Sequence, residues 1–302
     1  MAFQKVTRQK SKLRLALAGP SGAGKTLSAL LLAYGITDDW SKIALIDTEH
    51  GRAKFYANRS DFGTGEFLYQ EISAPYSPKK YISMVKEGAE AVGEDGVVIV
   101  DSFSHAWDNE GGVLDIKSQI AEQPKKTDYS AWADAGKIQN NLVNSVLSAN
   151  CHTIVTMRAK MAYAMEQNDN GKMAPVKIGL APVQRENTEY EFDIVLNIAR
   201  NHIASASKDT TFLDSWSGVI TSELGKSLKE WLDDGVEPHR CTDCGKVITG
   251  NPRKTADEIA DGTLKNYGRK LCWACMADEI KRQKERKNES QTLSDSTCAE
   301  SS

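Results

Sequence analysis

Short apolar runs alternate along most of the chain with segments in which apolar residues return every three or four positions. Runs of valine, isoleucine, leucine and alanine with few polar interruptions are typical of strands buried on both faces, and the longer spacing predicts amphipathic helices. The runs lie at residues 13–19, 42–47, 67–72, 96–101, 152–157 and 192–198, and the helical segments at residues 27–34, 79–92 and 132–147. This alternation predicts an α/β domain with a mainly parallel sheet over residues 1–235.

Residues 160–185 interrupt the pattern, because they are polar and centre on "QNDNGK", a turn signal between two extended pieces. We expect an insertion or a long mobile loop there. The composition changes again after "EWLDDGVEPHR". A compact segment with four cysteines occupies residues 238–280, and residues 281–302 form a charged, low-complexity tail that we expect to be disordered.

The overall composition narrows the class of protein. Of 302 residues, 40% are hydrophobic and 26% are charged, as in ordinary globular proteins. The net charge of −3 does not indicate a nucleic-acid partner, so any basic surface must be local. No apolar run has the length of a signal peptide or a spanning helix. We therefore expect no membrane association and a cytoplasmic location.

The first apolar run leads directly into "GPSGAGKT", which matches GxxxxGK[ST] at every fixed position. In this motif the backbone N–H groups wrap phosphates, and the next helix points its N-terminus at them. Lys25 is expected to reach the β- and γ-phosphates and the Thr26 hydroxyl to bind Mg²⁺. The predicted phosphate loop comprises Gly19, Pro20, Ser21, Gly22, Ala23, Gly24, Lys25 and Thr26. The alternative is a chance glycine-rich turn, but the flanking strand and helix patterns match the context that the motif requires.

An acid on a neighbouring strand is the expected second anchor for the metal. Asp101 ends the aliphatic run "GVVIVD" and is the candidate. Ligands bind at the carboxyl ends of strands in open α/β sheets. The alternative is an aspartate that merely caps the residues after the strand.

The stretch "ALIDTEHG" ends an apolar run on two carboxylates, Asp47 and Glu49. Hydrolysis of a nucleoside triphosphate needs a group that orients or deprotonates water. In many phosphate-loop enzymes a glutamate directly follows the metal-binding acid, but here Ser102 follows Asp101. Glu49 is therefore the candidate catalytic residue, together with Lys25, and Asp47 is expected to orient its neighbours.

These motifs resemble those of the RecA family. "ALIDTEHGRAKFYA" is similar to the segment in which that family's glutamate activates water, and "VVIVDSF" is similar to its metal-binding strand. The resemblance covers about residues 10–200, and more narrowly it points to phage-encoded RecA-like ATPases associated with recombination and single-strand annealing. The strand at 152–157 is followed by "RAK" instead of that family's nucleotide-sensing glutamine, so filament formation and strand exchange are not implied.

The resemblance implies a Mg²⁺-dependent ATPase that acts on single-stranded DNA in phage recombination, repair or replication, in the host cytoplasm. It also implies a homo-oligomer formed on ATP or DNA, with a recombination protein or a single-strand-binding protein as a further partner. One alternative is an ATP-switched binding module that loads or recruits a recombination protein without DNA-coupled turnover. Another is an ATPase that acts on proteins.

Several basic residues follow the fifth apolar run. Arg158, Lys160 and Arg185 are candidates for γ-phosphate sensors or arginine fingers, since RecA-like cores hydrolyse ATP at subunit interfaces. Lys172 and Lys177 lie in the polar insertion, where relatives of RecA contact single-stranded DNA. A solvated basic face is the alternative for each of them.

Two CxxC pairs, in "CTDCGK" and "LCWACM", predict a zinc site formed by Cys241, Cys244, Cys272 and Cys275. Four thiolates close a tetrahedral shell, so the zinc would be structural. A helix between the pairs is predicted by a capping box at Thr255 and Glu258. Whether this finger contacts DNA or a protein stays open. Trp273 is expected to pack in the small core of the module.

Overall fold

The computed structural model describes residues 7–167 and 173–299. The chain divides into two compact units. One is Lys12–Leu232, and the other is formed by the described residues before and after that range. Each unit is considered in turn.

The larger unit contains a nine-stranded sheet. Its strands are β1 (Arg14–Gly19), β2 (Ile43–Asp47), β3 (Leu68–Glu71), β4 (Val97–Asp101), β5 (His152–Gln167), β6 (Met173–Pro182), β7 (Ile194–Ile198), β8 (Ile203–Lys208) and β9 (Ser217–Val219). The order is β3-β2-β4-β5-β1-β7-β8-β9, and β6 pairs only with β5. The strands from β3 to β7 in this order are parallel, whereas β8, β9 and β6 are antiparallel additions. The predicted α/β fold with a mainly parallel sheet is confirmed.

Helices cover both faces of the sheet, which explains why the parallel strands are apolar throughout. The helices of this unit are α1 (Lys25–Thr37), α2 (Pro78–Val92), α3 (His105–Asp108), α4 (Val113–Ala121), α5 (Asp128–Leu147) and α6 (Ser222–Asp233). Residues of α1 and α6, such as Leu30 and Leu228, are buried in one hydrophobic cluster. Residues of α2 and α5, such as Tyr81 and Val143, are buried in the cluster on the opposite face.

The helices α1 and α6 approach each other at a pair of glycines. A Cβ atom on Gly35 would lie 2.0 Å from the carbonyl oxygen of Ser222, and one on Gly225 would lie 2.4 Å from that of Leu32. Neither backbone oxygen can yield without moving its helix. The absence of a side chain at both positions therefore sets the distance between the two helices.

A buried histidine stands at the start of β5. The Nδ1 atom of His152 accepts a hydrogen bond of 3.0 Å from the N–H of Leu13, at the entry to β1. The imidazole is almost fully buried, and burial lowers the pKa of His152 to about 3. The neutral ring thus joins the beginnings of two adjacent central strands.

The polar insertion is a hairpin of β5 and β6, longer than the two short extended pieces that the sequence predicts. The strand β5 runs for 16 residues, from the centre of the sheet into this hairpin. Its pairing with β6 begins at Ala159 and Pro182 and shifts register between Ala162 and Tyr163. The predicted turn at residues 168–172, which includes Lys172, lies outside the described residues.

The smaller unit contains α7 (Ala256–Tyr267) and α8 (Trp273–Ala299) around a core that includes Ile248, Ile259 and Leu271. The predicted capping box is present. The Thr255 hydroxyl accepts from the N–H of Glu258 at 3.1 Å, and the Glu258 carboxylate accepts from the N–H of Thr255 at 2.7 Å.

The sequence predicts a disordered tail over residues 281–302, of which the structure describes residues 281–299. The helix α8 continues to Ala299. This segment is rich in lysine, arginine, glutamine and glutamate, which are good helix formers even where little core is available. Among the described residues, no helix combines the length and the hydrophobicity that crossing a bilayer requires.

Candidate functional site

The carboxyl ends of four parallel strands meet at one edge of the sheet. In the register of the sheet, Asp47 of β2 lies opposite Asp101 of β4, and Gly19 of β1 lies opposite Arg158 of β5. One strand, β5, separates β1 from β4. Residues that are distant in sequence are thereby brought to one crevice of the kind in which open α/β sheets bind ligands.

The predicted phosphate loop connects β1 to α1. Gly22 and Gly24 have positive φ angles of 77° and 89°, which favour glycine. This conformation lets the chain turn directly into the N-terminus of a 13-residue helix. The partial positive charge at a helix N-terminus favours a phosphate group.

Lys25 is the first residue of α1 and is 9% exposed. Its Nζ atom donates to the carbonyl oxygens of Gly19 and Pro20, both at 3.0 Å. Burial lowers the pKa of Lys25, and the nearby carboxylates of Asp101 and Glu49 oppose that effect. The ammonium group thus lies at the loop, as the motif predicts.

Asp101 and Thr26 lie side by side. The Thr26 hydroxyl donates to Oδ2 of Asp101 at 2.5 Å, and the Thr156 hydroxyl donates to Oδ1. Asp101 is almost fully buried, and burial raises its pKa. A hydroxyl and a carboxylate oxygen are the hard donors that Mg²⁺ prefers, so Thr26 and Asp101 fit this ion. Mg²⁺ bound there would neutralise charge on the phosphates.

Asp47 shapes the turn that carries Glu49. Its carboxylate accepts from the backbone N–H of Glu49 at 2.5 Å and from that of Ala53 at 3.1 Å, and it also accepts from the hydroxyl of Tyr69 at 3.2 Å. The Asp47 side chain is fully buried. These contacts agree with the orienting role expected for this residue.

Glu49 forms ion pairs with two arginines. Its Oε1 atom lies 3.1 Å from Nε and 3.0 Å from Nη2 of Arg158, and its Oε2 atom lies 3.5 Å from Nη1 of Arg52. The side chain of Glu49 is 19% exposed. The carboxylate is therefore restrained while it still reaches solvent.

A cavity of about 740 Å³ joins these groups. Its lining comprises Ser21, Gly22, Gly24, Lys25, Thr26, Glu49, Arg52, Phe55, Tyr56, Asp101, Arg158, Ala159 and Lys160. Five of the eight predicted phosphate-loop residues thus line one space together with Asp101 and Glu49, whereas Gly19, Pro20 and Ala23 are not part of this lining.

The remaining basic candidates have different positions. Lys160 lies at the edge of the cavity, with Nζ 3.4 Å from a carboxylate oxygen of Asp108. Arg185 lines a different cavity and donates to Oδ1 of Asn140 at 3.0 Å. Lys172 and the side chain of Lys177 lie outside the described part of the structure.

The sequence did not predict a set of polar residues that hold the segment after Asp101. The Thr48 hydroxyl accepts from the N–H of Ser102 at 2.8 Å and lies 2.6 Å from Nδ1 of His105, whose pKa is lowered by burial. Nε2 of Gln184 donates to the carbonyl oxygen of Phe103 at 3.2 Å. The polar run "DSFSH" directly after an aliphatic strand was the available signal for part of this network.

The smaller unit brings the four predicted zinc ligands together. The sulfur atoms of Cys241, Cys244, Cys272 and Cys275 all lie within 4.8 Å of one another, and those of Cys244 and Cys272 are 3.7 Å apart. Tetrahedral zinc with Zn–S bonds of about 2.3 Å requires sulfur separations of about 3.8 Å. The donor set therefore fits zinc, which would close the shell and serve a structural role.

Gly245, with a φ of 71°, forms the turn after the first cysteine pair, where its N–H donates to the carbonyl oxygen of Cys241 at 2.9 Å. Burial opposes ionisation of Cys241, but the backbone N–H groups of Cys272 and Cys244 outweigh it and lower the pKa of this thiol to about 6. The local backbone thus favours the thiolate form of Cys241.

A phosphate loop with its lysine, a metal-binding hydroxyl and acid beside it, and a parallel sheet that positions all three define a P-loop ATPase. The chain belongs to the AAA domain family, whose family model matches residues 11–223. This match covers β1 to β9 and the beginning of α6. No curated protein sequence matches the chain.

Proposed function

We propose that the protein is a Mg²⁺-dependent ATPase of RecA type that acts on single-stranded DNA in phage recombination, repair or replication. The position of Glu49 carries this proposal. It follows β2, a strand next to the one that ends in Asp101, and it faces the cavity of the phosphate loop. Because Ser102 occupies the position directly after Asp101, this arrangement is similar to the RecA pattern.

The residues of the cavity that bind ATP or act on water have separate tasks in this proposal. The loop amides and Lys25 bind the phosphates, and Thr26 and Asp101 hold Mg²⁺. Glu49 orients the attacking water and accepts its proton. Arg158, which contacts Glu49, is the candidate sensor of the γ-phosphate.

The hairpin of β5 and β6 supports a role for DNA. It begins at Arg158 and Ala159, which line the cavity, so a polymer bound to the hairpin adjoins the ATP site. Met161 and Leu180 are cross-strand partners and are 44% and 46% exposed, an apolar surface that suits bases. The exposed Lys160 beside them suits phosphates. We extend the proposal to a homo-oligomer formed on ATP or DNA, with a recombination protein or a single-strand-binding protein as partner.

The test is the variant Glu49→Gln. It should bind ATP as the parent does, because the loop and Lys25 are unchanged, but its turnover should fall by about 10²–10⁴-fold. Turnover is measured with and without a single-stranded oligonucleotide, and ATP affinity is measured by calorimetry. In the parent, single-stranded DNA should increase turnover.

A matched control is Glu71→Gln, which alters a carboxylate at the end of β3, outside the lining of the cavity. It should keep parental turnover, whereas Lys25→Ala should lose both ATP binding and turnover. Normal hydrolysis by Glu49→Gln would contradict the assignment of Glu49. If ATP turnover is the same with and without single-stranded DNA, the DNA-coupled function is contradicted.

The ion pairs of Glu49 favour a second function. A carboxylate held by Arg158 and Arg52 must be released before it can act on water. If release is rare, the protein is an ATP-switched binding module that recruits a recombination protein. Slow turnover of the parent that DNA does not change, together with tight ATP binding, would favour this function over the first.

A further inference from the structure

Trp273, between two zinc ligands, is exposed. The sequence predicts that it packs in the core of the smaller unit, but 61% of its surface is accessible. The core is formed without it, by residues such as Ile248, Ile259 and Leu271. Because Cys272 and Cys275 flank Trp273 in the chain, the converging cysteines fix the turn that presents the indole ring.

Trp273 is the first residue of α8, and three later residues lie on the same face of this helix. At 100° per residue, Ala277, Ile280 and Lys284 lie within about 40° of Trp273 around the helix. All four residues are exposed. The acids Asp278 and Glu285 lie about 120–140° away. Glu279 is also on another side, where it forms an ion pair of 3.0 Å with Arg269.

One part of the smaller unit carries a net positive charge, unlike the whole chain. Residues 238–286 contain eleven lysines and arginines but seven aspartates and glutamates, whereas the full sequence has a net charge of −3. Among the described residues, Lys281 and Lys284 form no ion pair. At 1.5 Å per residue, Lys281 and Lys284 lie about 12 and 17 Å along α8 from Trp273, so positive charge follows the exposed ring on the same helix.

We propose that Trp273, together with Lys281 and Lys284 further along α8, forms a binding surface for single-stranded DNA, with a base stacked on the indole ring. The inference rests on the proposed function and names the part of the chain that holds the DNA. An exposed aromatic ring followed by lysines along the same helix can stack an unpaired base and contact the phosphates of the neighbouring nucleotides. A duplex hides its base faces and does not offer this contact.

The test measures the affinity of the full-length, zinc-loaded protein for a labelled thymidine 30-mer by fluorescence anisotropy. Trp273→Ala should weaken binding by roughly 5- to 150-fold, the effect of losing one stacked base. Trp273→Phe keeps a stacking ring and should restore most of the affinity. Log affinity falls as log salt concentration rises, and Lys284→Ala should make the slope of this plot less negative by about 0.7.

Matched controls lie on α7. Leu264→Ala removes another exposed apolar side chain, and Lys265→Ala removes another exposed lysine. Both should bind as the parent does. Zinc content and circular dichroism identify any variant that fails to fold. If Trp273→Ala fails to fold, the affinity of Trp273→Phe is compared with that of the parent instead.

The outcomes separate this inference from the proposed function. Equal affinity of the parent and Trp273→Ala for the oligonucleotide overturns the stacking surface, while DNA-stimulated ATP turnover still supports the function. A parent that neither binds the oligonucleotide nor responds to it in turnover overturns both. Equal effects of Trp273→Ala on a duplex and on the single strand would indicate a contact other than base stacking.

Discussion

His152 and Asp101 are both buried polar residues at ends of central strands, and burial favours the uncharged form of each. Their partners differ. Two hydroxyl groups donate to Asp101, whereas His152 accepts one backbone hydrogen bond. A proton on Nδ1 would occupy the lone pair that accepts from Leu13, so the fold depends on a neutral His152.

This dependence predicts a loss of stability in acid. Below about pH 6.5 the unfolded chain binds a proton at His152, whereas the folded chain stays neutral down to about pH 3. The unfolded state then binds more protons, so the free energy of unfolding falls by up to about 1.4 kcal/mol per pH unit. His152→Asn keeps an acceptor for Leu13 and should remove this part of the pH dependence.

The measurement is urea unfolding at pH 7.5 and pH 5.0. Relative to the parent, His152→Asn should lose about 2 kcal/mol less on acidification. The exposed His50 provides the control, and His50→Asn should follow the parent. An equal loss in the parent and His152→Asn would show that His152 does not titrate as its burial implies.

Single residues of the site were predictable where a motif is continuous in sequence. Lys25, Thr26 and the four cysteines belong to such motifs, and Asp101 and Glu49 follow recognisable strands. Thr156, His105 and Gln184 were not predicted, because they act through contacts with distant segments. Only the fold brings those segments together.

At the scale of elements, the six apolar runs all became strands of the sheet. The strands β8 and β9 were missed because they carry small polar residues, with little of the apolar signal of a central strand, and β9 has only three residues. The helix α6 was also missed, although its apolar residues Leu224, Leu228 and Leu232 have helical spacing.

The contact of α1 with α6 predicts that a single methyl group added at Gly225 lowers the stability of the fold. Gly225→Ala places a Cβ atom against the carbonyl oxygen of Leu32, so the two helices must separate. The free energy of unfolding should fall by about 1–3 kcal/mol, as for other overpacked sites, in guanidinium denaturation.

Gly136→Ala in α5 is the matched control. The nearest atom to its new Cβ is Nη1 of Arg185 at 3.8 Å, and alanine favours a helix over glycine. This variant should be as stable as the parent or slightly more stable. If both variants behave alike, the close packing at Gly225 does not determine stability.

At the scale of the whole molecule, the chain combines two units with different sources of stability. The larger unit has two extensive hydrophobic clusters, whereas the smaller one has a short apolar core beside four cysteines. So small a core needs a further contribution, which a bound metal would supply as folding free energy.

One zinc ion per chain should therefore copurify. Cys241→Ser should reduce zinc content and make residues 238–280 sensitive to protease, because the module folds with its metal. ATP affinity should change little, since the candidate nucleotide site lies in the larger unit. Elemental analysis, limited proteolysis and calorimetry provide the three measurements.

Cys151→Ala is the control, because this buried thiol belongs to the larger unit and not to the zinc cluster. It should retain zinc. A protease-resistant module in zinc-free Cys241→Ser would show that the metal is dispensable for folding.

The hairpin of β5 and β6 has a mechanical consequence. From Arg158 the strand β5 continues to Gln167, a span of roughly 30 Å at the rise of a strand. A rotation of about 10° at Arg158 moves the far end of such an arm by about 5 Å. Because β6 pairs with β5 along this span, a rotation at Arg158 would move the two strands together. The ion pair of Arg158 with Glu49 lies at the base of this hairpin. A displacement there that is shorter than a hydrogen bond would therefore move the far end of the hairpin by several ångströms.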